Sequence, residues 1–316
     1  MTSTSYARGL RDLGGGCYAY LQPDGSWGLS NAGLVVDGGE SLLVDTLFDR
    51  AHTEAMLTAM RAAEPSAARI GTVVNTHHNG DHCFGNELCE GAEIIASQAA
   101  AAAMLKEPPA LLHGFLANAG QLGPLGEYLI HCFGRFDFAG IRQVLPTVTF
   151  TGRLERRVGD KLVELVEVGP AHTGGDVIVH VPSSHTVFTG DILFIEVHPI
   201  MWAGPVSNWL EACEQILAMD VDAVIPGHGP TTDKNGVREM MRYLAYVRDE
   251  AKKRYDAGMP VFDAAADIAL TDWSSWGDAE RIVVNVASMY RELSGDASPA
   301  EPAALFAMMA RIKQMR

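Results

Sequence analysis

Between residues 17 and 45 short apolar runs are separated by turn-forming residues. Segments such as GLVV and SLLVD are split by Pro23-Asp24-Gly25 and Asp37-Gly38-Gly39, which predicts antiparallel strands joined by tight turns. The period then changes. Ala51, Ala55, Met56 and Ala59 fall at helical spacing, so a helix follows, and Ile70 to Asn75 reads as the next strand. From Gln98 to Arg142 the chain is rich in Ala, Leu, Gly and Phe and is broken at Pro108-Pro109 and Gly123-Pro124. That stretch predicts short helices and loops laid over something else rather than a sheet.

Strands resume with TVTFTGRLERRV, turn at Gly159-Asp160, and continue through KLVELVEV and DVIVHVP, where Val177, Val179 and Val181 alternate. A Pro-Ser-Ser turn leads to TVFTGD. A helix from Ser207 to Met219 follows, with Leu210, Cys213 and Leu217 on its buried face, and then a short strand, AVIP, ending at Gly227-His228-Gly229. From Val237 the period is helical, through Met240, Met241, Leu244, Val247 and Ala251, then Ile282 to Tyr290 and Leu305 to Met315. There is no repeat of solenoid length. This order predicts a sheet sandwich with helices on its outer faces.

Size and charge narrow the picture. A chain of 316 residues, 47% hydrophobic, buries a sizeable core as one large domain or one domain with a helical appendage. A formal net charge of −15 argues against a nucleic-acid partner, since a phosphate backbone demands a basic surface. No apolar run approaches the roughly 18 residues of a membrane span. The start, MTSTSYARGLRDLGGG, has no apolar signal core, and the five cysteines (Cys17, Cys83, Cys89, Cys132, Cys213) form no CxxC pair. A soluble cytoplasmic protein is the expectation, with no membrane partner.

Candidate chemistry sits where strands end. THHNGDH places His77 and Asn79 two apart, so they face one way in an extended segment, and Gly80 lets the chain bend before Asp81 and His82. Later strand ends supply His172 in GPAHTGGD, Asp191 in FTGDILF and His228 in VIPGHGP. Imidazole and carboxylate together suit zinc, iron or manganese.

These motifs, in this order, resemble the metallo-β-lactamase superfamily, whose hallmark H-x-H-x-D-H precedes a later His, an Asp and a G-H pair. The resemblance covers residues 17 to 232, and Asp45 in LLVDT matches the family's early strand-end Asp. It implies an α/β fold: an αββα sandwich of two mixed β-sheets flanked by helices, over residues 1–235, with a helical insertion at about 98–142. Residues 236–316 are then a C-terminal helical extension packed on it. Carried over by position, His77 and His172 hold one metal, Asp81, His82 and His228 a second, and Asp191 bridges both. The family's second histidine falls on Asn79, while His78 takes the variable position. An amide oxygen is a poorer donor than imidazole for borderline metals. The expectation is one tight divalent ion, zinc ahead of iron or manganese, among Asp81, His82, His228 and Asp191. The position of His77, Asn79 and His172 is weak or empty. Rotation of His78 into the gap is the competing arrangement.

The resemblance also implies a metal-dependent hydrolase of an ester, thioester, lactone, lactam or phosphodiester, with Asp81 as the catalytic residue that orients the attacking water or takes its proton. The insertion and the segment LFIEVHPIMWAGP are rich in apolar and aromatic side chains, so an apolar, partly aromatic small molecule is the expected substrate and a thioesterase-like activity fits it. Phe115, Phe133, His198 and Trp202 are the candidate substrate-binding residues. A cyclase or lyase that uses the metal only as Lewis acid on an aromatic or polyketide-like substrate is the alternative. A non-catalytic binding protein is opposed by the six of seven ligand positions that persist. No flavodoxin-like or nuclease domain is legible, which argues against the diiron oxidoreductase and RNA-processing branches. The tail's Trp273, Trp276 and Tyr290 read as core, with a homodimer contact as the other use of its apolar stripes.

Overall fold

The structure, a computed structural model, describes residues 6–296, 298 and 301–315. The turn-rich N-terminal segment builds one half of a first sheet: β1 (Gly9–Gly14), β2 (Cys17–Leu21), β3 (Ala32–Asp37) and β4 (Glu40–Val44) run antiparallel. The other half is parallel, with β5 (Thr72–Val74), β6 (Glu93–Ser97) and β7 (Val148–Phe150) adding beyond β4 in chain order. The second sheet has the order β12-β11-β10-β9-β8, from β8 (Arg153–Val158), β9 (Lys161–Glu167), β10 (Val177–Val181), β11 (Thr186–Phe188) and β12 (Ala223–Ile225). Only β11 and β12 pair in parallel there.

The period-two alternation of the strands divides the core into layers. Val35, Leu42, Val44, Val74 and Ile95 of the first sheet meet Val163, Leu165, Val177, Val179 and Phe188 of the second. On the outer face of the first sheet, Leu34, Val36, Leu43 and Val73 pack against α1 (Arg50–Ala63). Ile178, Val187 and Val224 on the outer face of the second meet α6 (Val206–Ala218) and α7 (Lys234–Asp256). The expected alternation of Val177, Val179 and Val181 is present, but the positions between them are buried too, because helices cover the other face.

Several details differ from the sequence reading. In α1 the inward residues are Thr53, Met56, Leu57 and Met60, while Ala51 and Ala55 face solvent. Alanine suits either face of a helix, so its spacing marks helicity but not direction. The buried face of α6 likewise centres on Trp209, Ala212, Cys213 and Ile216, leaving Leu210 and Leu217 half-buried beside it. The run TVTFTGRLERRV is two strands in different sheets, broken at Gly152, whose φ of 71° turns the chain from β7 into β8. Polar β1 was not legible; it is an exposed edge strand, where a half-polar sequence is what solvent allows.

The insertion forms α3 (Gln98–Met104), α4 (Pro109–Ala117) and α5 (Pro124–Phe133), following a one-turn α2 (Gly80–Cys83) in the THHNGDH loop. The tail comprises α7, α8 (Val261–Asp267), α9 (Ile282–Ser294) and α10 (Pro302–Met315). α7 packs on α6 and α9, and α10 packs on α5, so the tail closes against both the second sheet's helix layer and the insertion. Phe306 of α10 joins the two, with its ring 5.9 Å from Phe133, 5.5 Å from Trp27 and 6.0 Å from Trp202.

Trp273 anchors this layer: it is 2% exposed, edge-on to Tyr243 at 5.1 Å, and its indole N–H donates to Glu239. Trp273→Ala is expected to lower the unfolding free energy by about 3–5 kcal/mol in a urea titration. A loss below about 1 kcal/mol would show that the tail packs more loosely than described.

Candidate metal centre

The parallel strands carry the site. In register, Val44 of β4 lies beside Val74 of β5, and Phe188 of β11 beside Ile225 of β12, so Asp45, Asn75 to His82, Asp191 and His228 all follow parallel strand ends. Two backbone hydrogen bonds tie these ends together across the two sheets, Asn31 N–H to Gly227 O and Val177 N–H to Thr76 O, and a third, Gly227 N–H to Gly190 O, joins the two ends of the second sheet. Carboxyl ends of parallel strands are where open α/β sheets place ligands. Gly227 is required by the close approach itself, because a Cβ there would collide with the Asp191 carboxylate.

Four imidazoles converge, and each is oriented through its Nδ1. His82 Nδ1–H donates to Asp45 Oδ2 at 2.9 Å, His172 Nδ1–H to Ile200 O at 2.6 Å, and His228 Nδ1–H to Gly25 O at 2.9 Å. Thr76 gives its hydroxyl proton to Asp45, so its oxygen accepts from His77 Nδ1–H at 3.1 Å. With every Nδ1 committed, the Nε2 lone pairs point inward. They surround Asp191, at 3.2 Å (His82), 3.2 Å (His172), 3.6 Å (His228) and 3.7 Å (His77). Asp81 closes the other side, 3.3 Å from His228 Nε2 and 3.8 Å from His82 Nε2.

Lone pairs facing carboxylate oxygens repel unless a cation lies between them. His77 Nε2, His82 Nε2 and Asp191 Oδ1 are buried and have no hydrogen-bond partner. Buried acceptors left this way cost free energy, which a metal ion removes. Charge points the same way. Burial works against a proton on His82, yet Asp191, Asp81 and Asp45 raise its pKa well above the ordinary value. Burial pushes His77 and His172 down, the latter to about 4, so both are neutral at pH 7 and offer lone pairs. Burial alone would raise Asp191 and Asp81, but the surrounding histidines overcome it and keep both carboxyls below their usual range. Nitrogen and oxygen donors of this kind fit a divalent transition metal.

Two candidate groupings emerge, His77, His82 and Asp191, and Asp81, His82 and His228. His82 is common to both, a sharing the positional carry-over did not contain. Asn79 Oδ1 stands 2.9 Å from His172 Nε2, whose ring proton is on Nδ1, so two acceptors face each other there as they would across a shared cation. His78 does not fill the gap. Its Nε2 is turned to Glu107 at 3.4 Å, away from the other rings, as alternation in an extended loop requires. The Cys83 thiol donates to the carbonyls of His78 and Asn79, and burial pushes its pKa well up, so it packs the loop as a thiol.

The four candidate substrate-binding residues scatter. Trp202 lies beside the centre, its backbone N–H donating to His172 O at 2.9 Å and its ring stacked on Phe306. Phe133 is buried among Trp27, Phe48 and Phe306. Phe115 is 49% exposed on α4. His198 is fully buried, 3.1 Å from the Tyr243 hydroxyl and edge-on to Trp276, so nearness in sequence to Asp191 placed it under the tail instead. Sequence reasoning missed the orienting acceptors Gly25 and Ile200, which act through backbone carbonyls and leave no side-chain signature. It also missed Asn31, which donates to Pro226 O and Gly229 O around His228, while Phe194, in the apolar segment expected near the site, stacks its ring on His228 at 5.2 Å.

Comparison with known proteins agrees with this geometry. The family model described as Metallo-beta-lactamase superfamily matches residues 25–228. A curated relative, the 2,4-dinitroanisole O-demethylase subunit alpha of Nocardioides sp. (strain JS1661), is 24% identical over 204 residues, 62% of this chain and 51% of its own. The chain thus spans about half the length of that relative. Among solved structures, the stereoselective inverting sec-alkylsulfatase Pisa1 from Pseudomonas sp. superposes with a TM-score of 0.66 at 15% identity, covering 93% of this chain and 52% of that one. A metallo-beta-lactamase from Pontibacter korlensis gives 0.56 at 17% identity, covering 75% and 98%.

Asp45 touches no inward-facing atom and fixes His82 and Thr76 together. Asp45→Asn is expected to weaken zinc binding about 10–100-fold in competition with a chromophoric chelator, as loss of an outer-shell carboxylate does. Unchanged affinity would show that packing alone orients His82.

Proposed function

Because the chain belongs to the metallo-β-lactamase superfamily, we propose that it is a metal-dependent hydrolase cleaving an ester, thioester or lactone bond in an apolar small molecule. The observation that carries this reading is the inward convergence of Nε2 lone pairs on Asp191 and Asp81, with three buried acceptors lacking partners. His82, His228, Asp81 and Asp191 would hold the tighter ion, zinc ahead of iron or manganese, and His77, Asn79 and His172 a weaker position. A bound divalent ion of this kind supplies a water acidified to a pKa of about 7 and polarises a carbonyl beside it.

The chain's own residues do the rest. Asp81 has 13% of its side chain open to solvent, and its carboxylate, ionised at neutral pH, would orient the attacking water or accept its proton. Asp191 and the neutral rings of His77 and His172 keep the centre's charge low. Trp202, whose backbone N–H donates to His172 O, stacks on Phe306, which in turn meets Trp27, and this aromatic group would receive an apolar acyl or alkyl part of the substrate. The names of two similar proteins, an alkylsulfatase and a dinitroanisole demethylase subunit, also denote reactions on small molecules with an apolar part.

A panel of acyl esters, thioesters and lactones assayed with and without chelator tests the activity. Turnover that chelation abolishes and zinc restores is expected, with product mass increased by one water. Conversion without added water would favour the Lewis-acid cyclase or lyase reading. Elemental analysis after dialysis tests the asymmetry of the centre. One retained ion per chain is expected for the natural sequence and two for Asn79→His, whereas two equally tight ions in the natural sequence would overturn it.

A further inference from the structure

We propose that Asn285, in the C-terminal helix α9, is a positioning residue for the metal centre, acting on His172 through the loop of residues 198–206. This rests on the metal-centre reading above and concerns a part of the chain outside the stretch matched by the family, residues 25–228.

The outward nitrogen and the carbonyl of His172 are held by that loop. Its Nδ1–H donates to Ile200 O, and its carbonyl accepts from Trp202 N–H at 2.9 Å and Ala203 N–H at 3.2 Å. The loop has few bonds of its own, and α9 together with Arg281, the residue that caps its start, supplies them. Arg281 donates to His198 O at 3.0 Å, Ser288 to Ala203 O at 3.3 Å and Arg291 to Trp202 O at 3.2 Å, while Glu292 accepts from Val206 N–H at 3.2 Å. Residues 281, 285, 288 and 292 recur at helical spacing, so one face of α9 runs along the loop.

Asn285 is the centre of this ladder and fully buried. Its Oδ1 accepts from Met201 N–H at 2.8 Å and its Nδ2 donates to Pro199 O at 3.0 Å. The amide's orientation is fixed, because a backbone N–H can only donate and a carbonyl can only accept. These bonds grip the chain on both sides of Ile200, the residue whose carbonyl sets the ring of His172. Without them two buried backbone groups lose their partners and the Ile200 carbonyl is free to turn.

The test compares Asn285→Ala with Val283→Ala, a buried position on the same helix with no bond to the loop. Both are made in the Asn79→His chain, where the position beside His172 has imidazole donors throughout. Zinc titration is expected to show the second ion bound about 10–100-fold more weakly in Asn285→Ala and little changed in Val283→Ala, in line with outer-shell substitutions at other metal sites. Equal affinity in the Asn285→Ala chain, or equal loss in both variants, would overturn the proposal. Should the parent chain bind no zinc, the metal-centre reading fails, and the metal-free chain still decides the positioning role. Carbethoxylation of His172, followed by mass spectrometry, is then expected to be several-fold faster in Asn285→Ala than in Val283→Ala, and equal rates would overturn it.

Discussion

Everything around the centre follows from one electrostatic constraint: two carboxylates, the buried Asp191 and the half-buried Asp81, face imidazoles whose outward nitrogens are already committed, and a third, the buried Asp45, lies behind His82. Buried charge of one sign is costly unless it is neutralised, and a proton on His82 offsets only part of it. The arrangement is therefore stable as a receptacle for a cation. Strand ends, glycines and capping bonds in this region serve to bring like groups closer than they would settle by themselves. Gly227 and Gly190 are the clearest instances, each with a neighbouring side chain where a Cβ would stand.

The candidate ligand set was legible in the sequence because each member follows a strand end, four of the residues lie within one short loop, and Asp191 and His228 lie directly beside glycines. The sandwich was legible for the same reason, since turn residues and period-two runs are local signals. What was not legible is directional. Alanines gave α1 its period but not its buried face, and a polar edge strand, β1, carries no alternation to read. Backbone carbonyls at Gly25 and Ile200 orient His228 and His172 without any side chain to mark them. His198 shows the reverse failure: it looked like a site residue from its place in the chain, yet the loop carries it beneath the tail to Tyr243.

The tail changes what kind of object the centre is. Were α9 and α10 only packed against the domain, apolar contacts such as that of Phe306 with Phe133 would suffice. Instead α9 presents amide, hydroxyl and guanidinium groups to loop carbonyls and N–H groups that would otherwise be buried without partners. Hydrogen bonds of this sort add modestly to stability but fix geometry closely, because each is lost at a small displacement. The same layer brings Phe306 against Trp202 and Phe133, so the C-terminal helices shape both the inner and the apolar side of the centre.

The asparagine in the THHNGDH loop has its consequence within this frame. An amide and a neutral imidazole carry the same charge, so replacing one by the other leaves the field of Asp81 and Asp191 untouched. What changes is the donor beside His172. An imidazole at position 79 would bring a second nitrogen to a shared ion, whereas the amide oxygen that faces His172 Nε2 at 2.9 Å is a poorer donor for a borderline metal. On the side of Asp81, His82 and His228 an entering ion takes the place of the proton that the neighbouring carboxylates hold on His82, and the nearest groups are anionic. The two halves thus differ in both charge and donor strength, and the two differences favour the same half.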